Sequence, residues 1–72
     1  MRLTELRPEW RRLQGLGECL CFDCRKSRSH RVCVPTNRWQ FFFREDFEKL
    51  TIKPSIDEGD CWHGNVIDGE IQ

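Results

Sequence analysis

The sequence predicts a small, mostly β domain with one short helix near its N-terminus. Two observations predict the strands: short runs rich in Val, Ile and Phe recur along the chain, and Gly, Pro or Asp-Gly turn signals separate them. A third observation, the length of 72 residues, predicts a single domain over 1–72. The core of a domain this small supplies only about 3–5 kcal/mol, so such domains usually need a cross-link, a metal ion or a partner.

The short helix is predicted over residues 8–15. Pro8 suits the first helical position, Glu9 suits the positively polarised first turn, and Gly15 is typical of the residue that ends a helix. Helical spacing places Trp10 on the same face as two leucines. We therefore expect the Trp10 side chain to join the core.

Four strand segments are predicted after the helix. They lie at residues 30–34, 38–43, 47–52 and 64–72. Pro54 is expected to close the third segment, because proline cannot donate a hydrogen bond to a sheet. Asp68-Gly69 marks a tight turn within the last segment.

The formal net charge of zero hides two halves of opposite sign. Residues 1–44 carry ten basic and four acidic side chains, for a net charge of +6, and residues 45–72 carry two basic and eight acidic ones, for −6. Either the halves fold onto each other and partly neutralise, or the protein presents two surfaces of opposite sign, one of which contacts a partner.

Cysteine and histidine spacing predicts a metal site. Cys21 and Cys24 form a C-x2-C pair, whose two thiolates can sit on one tight turn and face the same ion. Cys61 and His63 lie two residues apart, and residues at that spacing in an extended segment point to the same side. We predict that these four side chains hold one Zn²⁺. Four protein ligands leave no open coordination position, so the predicted ion is structural and not catalytic.

Two alternatives to this ligand set remain. A local set is made of Cys21, Cys24, His30 and Cys33, which lie close together in the sequence. In the other alternative no metal binds, and Cys19 and Cys33 are small buried apolar side chains, which is the role we expect for those two in any case.

The N-terminus carries no recognisable export signal. The segment MRLTELRPEW is amphipathic and interrupted by Pro8, and the longest apolar run is the three residues 41–43, so no membrane span is predicted. We expect the chain in the cytoplasm of the host cell, where thiols stay reduced or bind metal. The odd number of cysteines, five, also fits poorly with a closed disulfide framework.

Motifs over residues 20–71 resemble a family of small phage and prophage proteins of unknown function, often automatically labelled ammonia monooxygenase. The matching elements are the C-x-x-C turn at Cys21 and Cys24, the segment 30–34, Trp39, LT (50–51), PSI (54–56), WHG (62–64) and DGEI (68–71). The sequence departs from the family pattern at Phe22, where proline is expected, and in the additional Cys19 and Cys33.

The resemblance implies a zinc-ribbon-like fold and an accessory protein of a phage or mobile element. It does not imply the enzyme of the label, because a true ammonia-oxidising enzyme is a membrane copper complex. This chain has neither a predicted membrane span nor a His-rich copper site.

On this basis we predict a protein that binds and inhibits a larger host or defence protein, for example a CRISPR effector, by stoichiometric interaction. The predicted partner contacts are the charged residues that flank the metal site: Arg25, Lys26, Arg28, Arg31, Asp57, Glu58 and Asp60. The aromatic residues Trp39, Phe41 and Phe43 alternate, and they either fill the β core or add to this interface.

The sequence also bears on two other classes of function. The basic segment 25–31 directly follows the C-x2-C pair, a position from which a zinc ribbon can contact phosphates, so nucleic-acid binding is the alternative. An enzyme is not expected, because Cys61 and His63 on one short strand seldom reach the geometry of a nucleophile and its base. The oligomeric state is not predicted from the sequence.

Overall fold

The computed structural model describes residues 1–26, 29–57 and 62–72, and these form two antiparallel sheets. The first sheet has the order β1-β2-β3, with β1 at Glu9–Leu13, β2 at Gly17–Asp23 and β3 at Arg31–Pro35. The second has the order β4-β5-β6-β7, with strands at Gln40–Phe42, Thr51–Asp57, His63–Ile67 and Glu70–Ile71. A 3-10 helix at Leu3–Leu6 precedes them, and no helical segment in these ranges has the length and apolar character that crossing a membrane requires.

The predicted helix over 8–15 is wrong, since its residues form β1 and the turn that follows. β1 pairs with β2 from Glu9 opposite Cys21 to Leu13 opposite Gly17. Gly15 and Gly17 have φ angles of 87° and 79°, values that glycine adopts without steric cost. The glycine read as the end of a helix therefore belongs to a hairpin turn.

The sequence does not predict strand β2, because the spacing of its cysteines favours a metal-binding turn. Side chains alternate across a strand, so Leu20 and Phe22 point to one face, and Cys19, Cys21 and Asp23 point to the other. All five are buried. β2 is thus covered on both faces, as suits the central strand of its sheet.

The strand segments predicted at 30–34, 38–43 and 64–72 are confirmed by β3, β4 and the β6–β7 hairpin. The segment predicted at 47–52 is only partly right, because β5 begins at Thr51 and continues past Pro54 to Asp57. Pro54 lies in an irregular stretch of the β5–β6 pairing, between Ile52 and Ile56. Such an irregularity accommodates a residue that lacks a backbone donor.

Both sheets contribute to one hydrophobic core. Its buried members are Leu3, Leu6, Leu20, Phe22, Val32, Val34, Leu50, Ile52, Ile56, Trp62, Val66 and Ile71. Four aromatic side chains, Trp10, Trp39, Phe41 and Phe47, pack against this core while partly buried. Trp10 therefore reaches the core as predicted, although from a strand and not from a helix.

The N-terminal segment connects the two sheets. Leu3 N donates to Gly69 O at 2.7 Å and Ile71 N donates to Met1 O at 2.7 Å, so the first residues pair with the β6–β7 hairpin. The 3-10 helix then packs Leu3 and Leu6 into the core and ends at Arg7, whose φ of 50° is left-handed. This path carries Arg7 to the end of β2.

The Asp68-Gly69 turn predicted in the last segment is confirmed. Consecutive φ angles of 49° and 73° at these residues are those of a tight hairpin turn. Gly69 N donates to Leu50 O at 2.9 Å, and a Cβ atom at Gly69 would lie 2.6 Å from Glu48 O. The turn is therefore packed against the residues that lead into β5.

We expect Gly69→Ala to destabilise the fold more than Gly15→Ala. Both positions require a left-handed backbone, which costs an alanine about 1–2 kcal/mol. A Cβ at Gly15 meets no atom within 4 Å, whereas the one at Gly69 collides with backbone carbonyls, which adds about 1–3 kcal/mol. Urea unfolding of the two variants measures the difference, and equal losses would contradict the packing of this turn.

Candidate functional site

A buried carboxylate, that of Asp23, is bound by two arginines. Arg7 donates to it from Nε at 2.7 Å and from Nη2 at 3.1 Å, and Arg31 donates from Nη1 at 2.6 Å. These hydrogen bonds, that of Arg7 above all, hold the pKa of Asp23 below its usual range. The Asp23 side chain has no exposed surface, and a buried charge is tolerated only when it is paired in this way.

Arg31 is the centre of this ion cluster, which we define as Arg7, Glu9, Asp23 and Arg31. Its Nη2 donates to Glu9 Oε2 at 3.1 Å, to Arg7 O at 2.9 Å and to Cys21 O at 3.0 Å. Strand register places Arg31 directly opposite Asp23. The guanidinium predicted to contact a partner is therefore occupied within the fold.

Three free thiols share the face of the first sheet that also carries Asp23. We call this set, Cys19, Cys21 and Cys33, the thiol face. Burial raises the pKa of Cys21 to about 12, with further contributions from a hydrogen bond and charge at Cys33. Burial likewise raises the pKa of Cys19, whose Sγ donates to Gly17 O at 3.6 Å. At neutral pH these two buried side chains are thiols and not thiolates.

The predicted zinc ligands have different environments in the structure. Cys21 lies opposite Cys33, while Cys24 is disulfide-bonded and its Sγ accepts a hydrogen bond from Lys26 N at 3.4 Å. His63 is exposed at the start of β6, where its backbone lies opposite that of Asp57 in β5. Cys61 lies outside the described residues.

The described residues contain no group of three or more His, Cys, Asp or Glu side chains arranged to hold a metal ion. The described members of the predicted set, Cys21, Cys24 and His63, thus do not make a three-ligand site on their own. His30, a ligand in the local alternative, is exposed. Zinc binding and a zinc-ribbon-like architecture remain predictions.

Some of the predicted charged contacts are exposed in the structure, and others lie outside the described residues. Arg25 and Lys26 are exposed just after β2, and neither takes part in an ion pair between described residues. Asp57 is exposed at the end of β5. The predicted contacts Arg28, Glu58 and Asp60 lie outside the described residues.

The largest exposed apolar side chains near a strand edge are those of Phe42 and Phe43, which we call the aromatic edge. They are 42% and 57% exposed, and β4, to which Phe42 belongs, is the terminal strand of the second sheet. Phe43 has a φ of 58°, an uncommon value for a bulky residue. Lys53 Nζ lies 5.9 Å from the centroid of the Phe42 ring.

The sequence pattern located only part of the aromatic edge. Alternation grouped Phe43 with Trp39 and Phe41, but the latter two pack against the core while partly buried. The left-handed backbone at Phe43 breaks the alternation, so this ring leaves the face that Phe41 occupies. Phe42 points outward from β4, and the sequence analysis did not single it out.

Arg44 joins the residues beside the aromatic edge to the first sheet. Its guanidinium lies 4.6 Å from the centroid of the Trp10 ring, and its Nη2 lies 2.6 Å from Glu18 Oε1. Trp10 in turn contacts Phe41, with ring centroids 5.7 Å apart. These contacts connect the Arg44 side chain, next to Phe43, to the first sheet.

No protein-family model matches the chain, and no curated protein and no solved structure is significantly similar to it. The resemblance to the phage family therefore remains an expectation from the sequence motifs.

We expect acid to destabilise the protein through Asp23. Its folded-state pKa is lowered, so the ion cluster contributes stability above the unfolded-state pKa of about 3.9 and loses it as pH falls through the folded-state pKa. Urea unfolding between neutral and acidic pH should show this loss in the native protein. Asp23→Asn should be less stable near neutral pH and lack that part of the acid loss, whereas Glu45→Gln, at an exposed carboxylate, should retain it.

Metal analysis and thiol labelling test the zinc prediction. A structural ion predicts about one zinc per chain in protein purified without chelator, and cooperative unfolding when a chelator removes it. A disulfide at Cys24 predicts instead that this residue resists alkylation until a reductant is added. Zinc below about half an ion per chain would exclude the four-ligand site. Cys19→Ser serves as the control that leaves the predicted ligands intact.

Proposed function

We propose that this chain is a protein-interaction module that binds a larger protein stoichiometrically. The observation that carries the proposal is the aromatic edge. Phe42 and Phe43 leave 42% and 57% of their surface in water although a core with twelve buried members lies within the same small fold. Adjacent exposed aromatic rings are typical of the anchors that fill pockets on a binding partner.

The backbone at the aromatic edge supports the same proposal. A left-handed conformation at a bulky residue costs about 1–3 kcal/mol, and Phe43 is more than half exposed and so offsets little of this by burial. Strain of this kind persists where the surrounding structure enforces it, and Arg44 is held by Trp10 and Glu18 next to Phe43. The chain is thus held on both sides of Phe43, by β4 before it and by the Arg44 contacts after it.

The position of β4 favours an extended segment of the partner as the occupant. β4 ends the sheet, so none of the described strands pairs with its outer edge. A free edge accepts main-chain hydrogen bonds from an added strand, while side chains beside it provide selectivity. Lys53, over the Phe42 ring, adds a positive charge next to the apolar surface.

A host or defence protein is the partner we propose, and inhibition is the expected consequence. The reason is the motif resemblance to phage and prophage accessory proteins. Arg25 and Lys26 are exposed cations that can add charged contacts at the rim of an interface. Such rim contacts influence the association rate more than the affinity.

Nucleic-acid binding is the second candidate, and the exposed Arg25 and Lys26 favour it. Two phosphate contacts would give a salt dependence with a log–log slope of about −2. Arg31 does not add to this patch, because its guanidinium is bound within the ion cluster. The salt slope on bare DNA or RNA separates this candidate from a hydrophobic protein interface.

The proposal predicts that Phe43→Ser weakens binding by at least about 2 kcal/mol, or about 30-fold in Kd. Cross-linking in host lysate identifies the bound protein, and calorimetry with that protein in purified form measures Kd and stoichiometry. Leu16→Ser is the matched control, because Leu16 is 42% exposed but lies in the β1–β2 turn. It should bind as the native protein does.

Equal weakening by Phe43→Ser and Leu16→Ser would contradict a role for the aromatic edge. Inhibition that persists at an inhibitor-to-target ratio far below one would indicate turnover and contradict stoichiometric binding. Arg25→Glu should leave the Kd for a protein partner within a few-fold of native, whereas loss of all binding would favour the nucleic-acid candidate.

A further inference from the structure

Cys21 and Cys33 lie directly opposite each other on neighbouring antiparallel strands. Cys24 N donates to His30 O, and Thr36 N donates to Glu18 O. These bonds mark Cys24 with His30, and Glu18 with Thr36, as hydrogen-bonded pairs at the two ends of the β2–β3 pairing. Such pairs recur at every second residue, so Cys21 and Cys33 form a non-hydrogen-bonded pair.

That type of pair has the spacing a disulfide needs. Its Cα atoms lie about 4.5 Å apart, and disulfides span Cα distances of about 4.4–6.8 Å. We propose that Cys21 and Cys33 are a dithiol site that a low-molecular-weight disulfide, such as oxidised glutathione, converts to a bridge between β2 and β3. This inference is independent of the proposed function.

The third member of the thiol face does not compete for the bridge. Cys19 lies opposite Pro35 and is a diagonal neighbour of Cys33. Diagonal neighbours lie about 7–8 Å apart, beyond the reach of a disulfide without backbone movement. Cys19 is therefore an internal control, because it should remain a free thiol when the bridge forms.

Exposure determines which thiol reacts first. Cys33 is partly exposed, whereas Cys21 has no exposed surface. The Cys33 thiolate, after losing its proton to solvent, attacks the S–S bond of oxidised glutathione. This forms a mixed disulfide at Cys33 and releases one glutathione thiolate, which takes up a proton.

Cys21 completes the reaction. Its sulfur, once deprotonated, attacks Cys33 Sγ and displaces the second glutathione, so two protein thiols are oxidised while one glutathione disulfide is reduced to two thiols. Strand register keeps Cys21 opposite Cys33, so this second step is intramolecular.

Differential alkylation tests the site in the full chain, purified without reductant. Protein treated with oxidised glutathione is blocked with light N-ethylmaleimide, reduced, and labelled with the heavy reagent. Trypsin separates Cys33, in residues 32–38, from Cys19, Cys21 and Cys24, in residues 13–25, and fragmentation distinguishes these three. Cys24 takes heavy label with or without glutathione, because it is already disulfide-bonded. We expect Cys21 and Cys33 to gain heavy label together while Cys19 remains light.

Variants assign each step. Cys21→Ser should stop the reaction with glutathione attached to Cys33, Cys33→Ser should leave Cys21 light, and Cys19→Ser should form the bridge as the native chain does. A glutathione adduct that persists on Cys33 of the native chain, heavy label on Cys19, or chains joined to each other would overturn the proposal. So would zinc-dependent protection of Cys21 with Cys33 left free.

Discussion

Burial of β2 on both faces is the constraint on which the rest of the structure depends. One face supplies Leu20 and Phe22 to the core shared by the two sheets, and the other buries two cysteines and a carboxylate. A carboxylate inside a protein must be paired, so the chain brings one arginine from the N-terminal segment and one from β3 to Asp23. The ion cluster thus fixes how the N-terminal segment crosses from the second sheet to the first.

Most of the strands after β2 were predictable because their signals are local. A Val-rich run, an aromatic run and an Asp-Gly turn each identify an element without reference to distant residues. The helix over 8–15 failed for the opposite reason. Pro8, Glu9 and Gly15 satisfy helix rules, but pairing with β2 outweighed local propensity, and β2 itself was hidden by its cysteines.

The candidate site was less predictable than the fold. No spacing motif connects Arg7, Asp23 and Arg31. Arg7 reaches the carboxylate after a left-handed turn of the backbone, and Arg31 lies opposite Asp23 through the register of β2 and β3. The exposure of Phe43 depends on a backbone conformation that its residue type does not indicate. The C-x2-C spacing was read as a shared turn, whereas β2 extends through Asp23 and turns Cys21 toward Cys33.

The shortness of β4 has a consequence for self-assembly. Long, flat, apolar edges template the addition of further copies, as in fibrils, and native proteins avoid this with short or interrupted edges. β4 offers three residues before the left-handed Phe43 turns the backbone away. So short a ladder provides one or two outward hydrogen bonds, worth about 0.5–1.5 kcal/mol each, which is too little to hold another strand without the side-chain contacts that a partner's pocket adds around Phe42 and Phe43. The chain can therefore keep two aromatic rings in water without a continuous edge along which copies would stack.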